Sequence, residues 1–99
     1  MKDLFANIVG FDWDEGNREK NYLKHNVRNG ECEDIFFNQP LIVAGDTEHS
    51  TKEKRYAAFG VTDGRRQLTV IFTLRGKLVR VISARDMTAK ERRYYENHT

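Results

Sequence analysis

The sequence is poor in the residues on which disulfide scaffolds and metal sites depend. Its 99 residues include one cysteine, Cys32, and one proline, Pro40. A lone cysteine excludes an internal disulfide, and its helical context predicts a small core residue rather than a nucleophile. The three histidines, His25, His49 and His98, show no zinc-type spacing with Cys32. We therefore predict neither a bound metal nor another cofactor.

Long apolar runs and glycine-rich loops are also missing. No apolar run approaches the length of a membrane span, and the first ten residues combine charges with a short, broken apolar patch. We expect no spanning helix, no secretory signal and a cytoplasmic location. The absence of a glycine-rich phosphate loop and of a Ser/His/Asp arrangement argues against a small-molecule enzyme. The chain, residues 1–99, is expected to form one domain with one core.

Charge is abundant but unevenly divided between the two halves of the chain. Residues 51–99 hold twelve Lys or Arg against five acids, a net of +7, whereas residues 1–50 hold five basic and ten acidic groups, a net of −5. A basic half favours a nucleic acid or another polyanion as partner over a membrane. The alternative is a solvated surface that is merely uneven.

Local patterns predict an α+β domain with the element order β-α-α-β-β-β-β-α. The side chains of residues 8–13 alternate between two faces, which predicts a short first strand. Asp14 is a candidate N-cap for a first helix that runs to about His25. Tyr22 and Leu23 are expected to face the core from that helix.

A second helix and four strands are predicted to follow. The helix covers 29–37, where Cys32, Ile35 and Phe36 recur at i, i+3 and i+4, and it stops near Pro40. Apolar runs predict the four strands at 41–44, 55–61, 67–73 and 77–84.

Turn and capping residues connect the later elements. Asp63-Gly64 and Arg75-Gly76 lie in the short gaps between the last three strands, and both pairs favour hairpins, so these strands should form an antiparallel meander. Thr88 and Glu91 match a capping box that opens a final helix. We expect a small antiparallel sheet with the two N-terminal helices on one face, a C-terminal helix, and the other face or its rim left basic.

The segment from Lys77 to Glu96 is the most informative stretch of the chain. It places arginines along a predicted strand and then adds a basic helix that carries tyrosines. Strict alternation along the strand puts Arg80 on one face and Arg85 on the other. An arginine among aliphatic neighbours is costly to bury unless its planar guanidinium meets an anion. The partner is either an internal carboxylate or a phosphate-rich ligand.

Several separated motifs occur in an order typical of one protein family. They are Phe11-Asp12-Trp13-Asp14, Asn21, Lys24-His25, Val27, Asp46, His49-Ser50, Glu53, Arg55-Tyr56, Gly60, the strand Arg80–Arg85, and Lys90-Glu91-Arg92 with Tyr94. Together, across residues 11–96, they resemble the BrnT toxins of bacterial type II toxin–antitoxin systems.

The resemblance implies a fold, an activity and a partner. The chain is expected to be a single BrnT-like toxin domain with a RelE-like fold. It is expected to act as a ribonuclease that inhibits translation. We expect it to need no metal, because the 2′-hydroxyl of RNA can itself supply the nucleophile. A BrnA-type antitoxin should neutralise it, in a heterotetramer of two toxins and two antitoxins that contacts operator DNA through the antitoxin. The alternative is a non-catalytic basic module that binds nucleic acid or holds an antitoxin in a repressor complex.

RNA can cleave itself when its 2′-hydroxyl attacks the adjacent phosphate, so the enzyme needs a base, an acid and cations for the phosphorane. His25 is one candidate acid or base because its ordinary pKa lies near neutrality, with Lys24 beside it; Glu53 is the alternative base. Candidates for the phosphate clamp are Arg55, Arg80 and Arg85, whose guanidinium groups suit a phosphate and its transition state.

A second group of residues is predicted to contact RNA outside the reacting phosphate. Trp13 and Tyr94 offer rings for stacking on bases, although either ring could belong to the core instead. Tyr95 shares this ambiguity with Tyr94, and we expect one of the two to face the core. Lys20 and Arg92 offer charge, while His49 is a candidate second acid in a polar loop. The set of predicted RNA-binding residues is Trp13, Lys20, Arg92 and Tyr94.

Two positions depart from the family pattern. Asn17 stands where the family usually has a lysine, which removes a cation from the predicted first helix. Asn26 stands where a glycine commonly follows the Lys-His pair, and asparagine also tolerates the left-handed conformation expected just past a helix end.

Overall fold

A computed structural model of the chain describes residues 2–45 and 53–99. Asp46, His49 and Ser50, on which part of the family resemblance rests, lie outside the described residues, and so does the predicted role of His49. The elements are a 3-10 helix Lys2–Phe5, β1 Gly10–Phe11, α1 Lys20–His25, α2 Asn29–Phe37, β2 Ile42–Gly45, β3 Arg55–Val61, β4 Gln67–Arg75, β5 Leu78–Asp86 and α3 Ala89–Asn97.

Five strands form one sheet in the order β1-β5-β4-β3-β2. The strands β2 to β5 pair antiparallel in sequence, and only β1 is parallel to its neighbour β5. The connection between β4 and β5 turns through Gly76, whose positive φ of 60° suits a tight hairpin. The predicted α+β class, the order of the elements and the antiparallel meander are therefore confirmed.

The core lies between α2 and one face of the sheet. α2 approaches β3 so closely that a Cβ atom on Gly60 would lie 2.8 Å from Cβ of Ile35. Cys32 is fully buried there, and burial raises the pKa of its thiol to about 12, so it is a core residue as predicted. The cluster of buried apolar residues consists of Val27, Cys32, Ile35, Ala58, Leu68, Val70, Phe72, Val79, Val81 and Ala84.

The first helix is shorter than predicted and presents a different face to the core. It begins at Lys20 with Glu19 at the N-cap position, whereas Asp14 caps a separate turn, in which its carboxylate accepts from the amide of Gly16 and its carbonyl accepts from the amide of Arg18. Tyr22 and Leu23 are 46% and 78% exposed, so the prediction that they pack inward was wrong.

A buried asparagine explains this orientation of the first helix. Asn21 is buried, and its Oδ1 accepts a hydrogen bond of 2.9 Å from the amide of Ala84 in β5. α1 therefore packs along β5 through a polar side chain. Asn26 follows the helix with a φ of 56°, which confirms the left-handed conformation predicted there.

A bulge in β5 changes which side chains share a face. Val81 pairs with Phe72 and Ser83 pairs with Ile71, so Ile82 is an extra residue between them. Because the bulge shifts the alternation by one residue, Arg80 and Arg85 lie on the same face of the sheet. The prediction of one arginine on each face was wrong, since strict alternation cannot anticipate an inserted residue.

No helix in the described part of the chain has the length and apolarity needed to cross a membrane.

Candidate active site

Four arginines project from the face of the sheet opposite α2, which we call the arginine face: Arg55, Arg75, Arg80 and Arg85. Arg55 and Arg80 pair from either side with Thr73, so these three residues form one row across β3, β4 and β5. Arg85 pairs with Thr69, four residues along β4, which places it about 13 Å from that row. The arginine face therefore has an Arg80 end and an Arg85 end.

At the Arg80 end, a carboxylate binds one arginine and feels the positive charges of two others. Glu53 accepts hydrogen bonds from Nε and Nη2 of Arg75, at 3.0 and 3.1 Å. The bond from Arg75 lowers the pKa of Glu53, and the positive charges of Arg75, Arg55 and Arg80 lower it further. The carboxylate is therefore ionised at neutral pH, with three positive charges close to it.

The loop that follows β1 holds Arg80 from the other side. Nη1 and Nη2 of Arg80 donate to the two carboxylate oxygens of Asp14 at 3.0 and 3.1 Å, and Nη1 lies 3.4 Å from Oδ1 of Asp12. The Arg80 hydrogen bond and the amide of Gly16 lower the pKa of Asp14. The Arg80 side chain as a whole is 14% exposed, and its contacts with these two carboxylates involve Nη1 and Nη2.

At the Arg85 end, the carboxylate belongs to the cap of a helix. Glu91 accepts from Nη1 and Nη2 of Arg85 at 2.6 and 2.9 Å, from Oγ1 of Thr69 at 2.9 Å, and from the amide of Thr88 at 2.9 Å. These hydrogen bonds, that of Arg85 above all, lower the pKa of Glu91 to about 2. The predicted capping box of Thr88 and Glu91 is confirmed, and it binds Arg85 into the fold.

His25 and Lys24 lie away from the Arg80 end. The carbonyl of His25 accepts a hydrogen bond from Arg66, which also binds Asp86, and the charge of His25 contributes to lowering the pKa of Asp86. Asp86 ends β5 six residues beyond Arg80, roughly 20 Å along the strand. Lys24 is exposed. The structure therefore brings Glu53, Arg55 and Arg80 together but not His25 and Lys24 with them.

Two of the predicted RNA-binding residues, Trp13 and Lys20, belong to the first half of the chain and form hydrogen bonds within the protein. Nε1 of Trp13 donates a 2.7 Å hydrogen bond to Glu33, and the half-buried ring packs against the core. Nζ of Lys20 lies 3.3 Å from the carbonyl of Ile82 in the bulge.

The other two lie on α3. The ring of Tyr94 is half-exposed and its centroid lies 5.8 Å from that of Phe59, while Tyr95 is buried and donates from its hydroxyl to the carbonyl of Pro40. One tyrosine faces the core and the other does not, as predicted. Arg92 is exposed, with Nη2 3.3 Å from the carbonyl of Met87.

Arg75, Asp14 and Asn17 also belong to this region, although the sequence did not indicate them as site residues. Alternation from Thr73 would have placed Arg75 on the arginine face, but its position beside Gly76 led us to treat it as a turn residue. Asn17 is buried, and its amide donates to the carbonyls of Asp12 at 2.9 Å and Val81 at 3.0 Å. Asn17 is therefore a structural residue rather than a lost contact with phosphate.

The opposed charges of the two halves meet in the fold. Arg66 forms an ion pair with Glu31 at 3.3 Å, and Arg80 pairs with Asp12 and Asp14. Acids from the first half thus balance arginines from the second, so the basic half is less of a continuous positive surface than the sequence indicated. Among the residues that the structure describes, no group of three or more His, Cys, Asp or Glu side chains could hold a metal ion.

Comparison with known proteins identifies one family. A family model described as "Ribonuclease toxin, BrnT, of type II toxin-antitoxin system" matches residues 13–91, which include Asp14, Glu53, Arg55, Arg80 and Glu91. No curated protein matches the chain in a sequence comparison.

Proposed function

Because the chain belongs to the BrnT family of ribonuclease toxins of type II toxin–antitoxin systems, we propose that it is a metal-independent endoribonuclease whose active site is the Arg80 end of the arginine face. The observation that carries this proposal is the position of Glu53, an ionised carboxylate bound by Arg75 and close to the charges of Arg55 and Arg80. Glu53, Arg55 and Arg80 were all predicted as site residues, and the fold gathers them within one end of one sheet face.

The chemistry follows from what RNA cleavage needs. Glu53 takes the proton of the 2′-hydroxyl, the 2′-oxygen attacks the adjacent phosphorus, and the bond from phosphorus to the 5′-oxygen breaks. The products are a 2′,3′-cyclic phosphate and a 5′-hydroxyl. Arg55, Arg75 and Arg80 stabilise the additional negative charge of the phosphorane. The nucleophile is supplied by the RNA itself, so this route requires no metal-bound water.

The site also needs a base that can be reached. The side chain of Glu53 is 39% exposed and that of Arg75 is 49% exposed. An ion pair this exposed is weak because water screens it, so an incoming phosphate can displace the carboxylate from Arg75. Displacement frees Glu53 to accept a proton and Arg75 to bind the phosphate in its place. His49 stays a prediction for the acid that protonates the leaving 5′-oxygen.

We further propose that the antitoxin is of the BrnA type. The family implies an antitoxin partner, and an acidic or amphipathic segment that covers the arginine face would block access of RNA to Glu53 and Arg80. The complex is proposed to be a heterotetramer of two toxins and two antitoxins, which binds operator DNA through the antitoxin. Co-expression with the adjacent reading frame should restore growth, and a neighbour that neither binds nor protects would refute this pairing.

The proposed activity is tested with purified protein and RNA in the presence of EDTA. We expect full cleavage in EDTA and products with 2′,3′-cyclic phosphate ends. Glu53→Gln should lower the single-turnover rate by about 10²-fold, because an amide cannot accept the proton. Glu15→Gln, a change of the same chemistry at an exposed acid, serves as the matched control and should cleave like the wild type.

Three outcomes would count against the proposal. Products with a 5′-phosphate, or a rate abolished by chelation, would demand a metal site. Wild-type activity of Glu53→Gln would remove the proposed base. Binding of RNA without cleavage, under conditions that also preserve the fold, would favour the alternative function as a non-catalytic module that binds nucleic acid or antitoxin.

A further inference from the structure

The turn that follows β1 is built around Arg80. Asp14 places both carboxylate oxygens against Nη1 and Nη2 of Arg80, and its own Oδ1 is fixed by a 2.8 Å hydrogen bond from the amide of Gly16. The amide of Asp14 in turn donates a 2.8 Å bond to Oδ1 of Asn17. A Cβ atom on Gly16 would lie 3.2 Å from Nη2 of Arg80 and 3.2 Å from Oδ1 of Asp14, so the turn leaves just enough room for the guanidinium.

Asn17 anchors this turn to the strand that carries Arg80. Its side chain is buried and donates to the carbonyl of Val81, the residue next to Arg80, at 3.0 Å. The same amide donates to the carbonyl of Asp12. Asn17 therefore ties the backbone of the turn that carries Asp14 to the backbone of β5 beside Arg80. This link fixes the position of the carboxylate relative to the guanidinium. A rotamer-rich arginine held in this way loses less entropy when it binds a ligand.

Asp14 occupies only one edge of the guanidinium. An arginine has five N–H groups, and the contacts of Arg80 with the described residues use Nη1 and Nη2 at the end of the side chain. Within the described residues, no hydrogen bond uses Nε–H, which forms a two-donor fork with the second N–H of Nη2. Such a fork matches two oxygens of a phosphate.

From this geometry we infer that Asp14 is a positioning residue, which holds one edge of Arg80 so that the other edge faces the reacting phosphate. The inference rests on the proposed function, since it assigns Asp14 a role in the same site. In the simplest alternative, the carboxylate of Asp14 occupies the site on Arg80 where phosphate binds, and RNA must displace this carboxylate. The two roles predict opposite effects of removing the Asp14 charge.

Asp14→Asn separates these roles by kinetics. If Asp14 positions Arg80, kcat should fall at least about 10-fold, because a misplaced cation stabilises the transition state poorly. KM for RNA should stay the same or fall, because a negative charge has been removed beside the phosphate. If Asp14 only competes with RNA, kcat should be unchanged or higher in the variant, and this result would overturn the inference. Glu15→Gln again controls for loss of a neighbouring exposed charge.

A double-mutant cycle shows whether Asp14 acts through Arg80. Asp14→Asn should have no further effect on kcat in an Arg80→Ala background, whereas an independent structural role would lower kcat additively and contradict the inference. Gly16→Ala tests the same turn without altering charge, because the added methyl crowds Nη2 of Arg80. We expect a lower kcat with an unchanged melting temperature, and wild-type kcat in this variant would argue against a close fit of the turn.

Failure of this inference is distinguishable from failure of the proposed function. If Arg80→Ala cleaves RNA like the wild type, the proposed active site is wrong. If Arg80→Ala is inactive but Asp14→Asn keeps the wild-type kcat, the active site stands and only the positioning role of Asp14 is wrong.

Discussion

At the Arg85 end of the arginine face, Glu91 receives hydrogen bonds from a guanidinium, a hydroxyl and a backbone amide. At the Arg80 end, Glu53 is bound by Arg75 alone among the hydrogen bonds within the described residues, and Asp14 holds one edge of Arg80. The carboxylates differ in exposure in the same sense, since the side chain of Glu91 is 23% exposed and that of Asp14 is 56% exposed, whereas Arg85 is 36% exposed and Arg80 is 14% exposed. The two ends use the same chemical pair in different surroundings.

The comparison separates arginines that hold the fold from arginines that can act on a ligand. Glu91 accepts hydrogen bonds from the amide of Thr88, the hydroxyl of Thr69 and the guanidinium of Arg85. Moving this carboxylate away from Arg85 would also disrupt the cap of α3. An arginine whose carboxylate partner is exposed, such as Arg75 with Glu53, can exchange that carboxylate for a phosphate at low cost. We therefore propose that Arg85 stabilises the fold and that Arg75 and Arg80 bind the phosphate, although the sequence predicted both Arg80 and Arg85 as parts of the phosphate clamp.

The largest expected effect is that of Arg80→Ala on cleavage. We expect a 10²- to 10³-fold lower rate, or about 3–4 kcal/mol of transition-state stabilisation, because the group lost is a donor aimed at the phosphorane. Single-turnover cleavage of a labelled RNA measures the rate, and thermal unfolding checks the fold. Arg93→Ala, at an exposed arginine on α3, is the control and should remain active. If both variants lost the same fraction of the cleavage rate, Arg80 would be no more important for cleavage than an exposed surface arginine.

A smaller effect, on stability rather than rate, is expected at the other end. Glu91→Gln should lower the free energy of unfolding by about 1–2 kcal/mol, because the amide weakens the helix cap and the contact with Arg85. Urea denaturation measures the loss. Glu96→Gln on the same helix is the control. The carboxylate of Glu96 accepts a long and therefore weak hydrogen bond of 3.5 Å from Nε2 of Gln67. If Glu91→Gln kept full stability but lost cleavage, the roles of the two ends would be reversed.

The contribution of Glu91 should also depend on pH. Its pKa falls from an ordinary 4.5 to about 2 in the folded protein, chiefly through the hydrogen bond from Arg85. A lowered pKa means stabilisation that is present above about 4.5 and is lost as the pH falls towards 2. The stability difference between the wild type and Glu91→Gln should therefore shrink over this interval. A difference that stayed constant from pH 5 to pH 2 would show that the charge of Glu91 is not the source.

The smallest effect is expected for His25→Ala. The sequence predicts His25 as an acid or base, whereas its position beside Asp86 and Arg66 separates it from the Arg80 end. If Glu53 is the base, the variant should cleave RNA within about twofold of the wild type. Lys24→Ala, next to it and exposed, should behave in the same way. A loss of 10²-fold in His25→Ala without unfolding would restore the histidine as a catalytic residue and move the site to this corner of the molecule.

Short-range features of this protein were predictable from its sequence. The helix over 29–37, the hairpin at Gly76, the left-handed residue Asn26 and the cap formed by Thr88 and Glu91 all agree with the structure. Each depends on groups only a few residues apart, so composition and spacing are sufficient to predict it. The start of the first helix was not predicted correctly, because Asp14 caps a separate turn that precedes the helix and its carboxylate binds the distant Arg80.

The amino-acid pattern was sufficient to predict the main helices and strands, their order and the family to which the chain belongs. Which charges meet, and on which face of the sheet, depends on the folded arrangement of the strands. The bulge at Ile82 brought Arg80 and Arg85 to one face, and Asp14 reached Arg80 across 66 positions of sequence. Local patterns record the preferences of neighbouring residues, whereas strand register and ion pairing depend on the packing of segments that are distant along the chain.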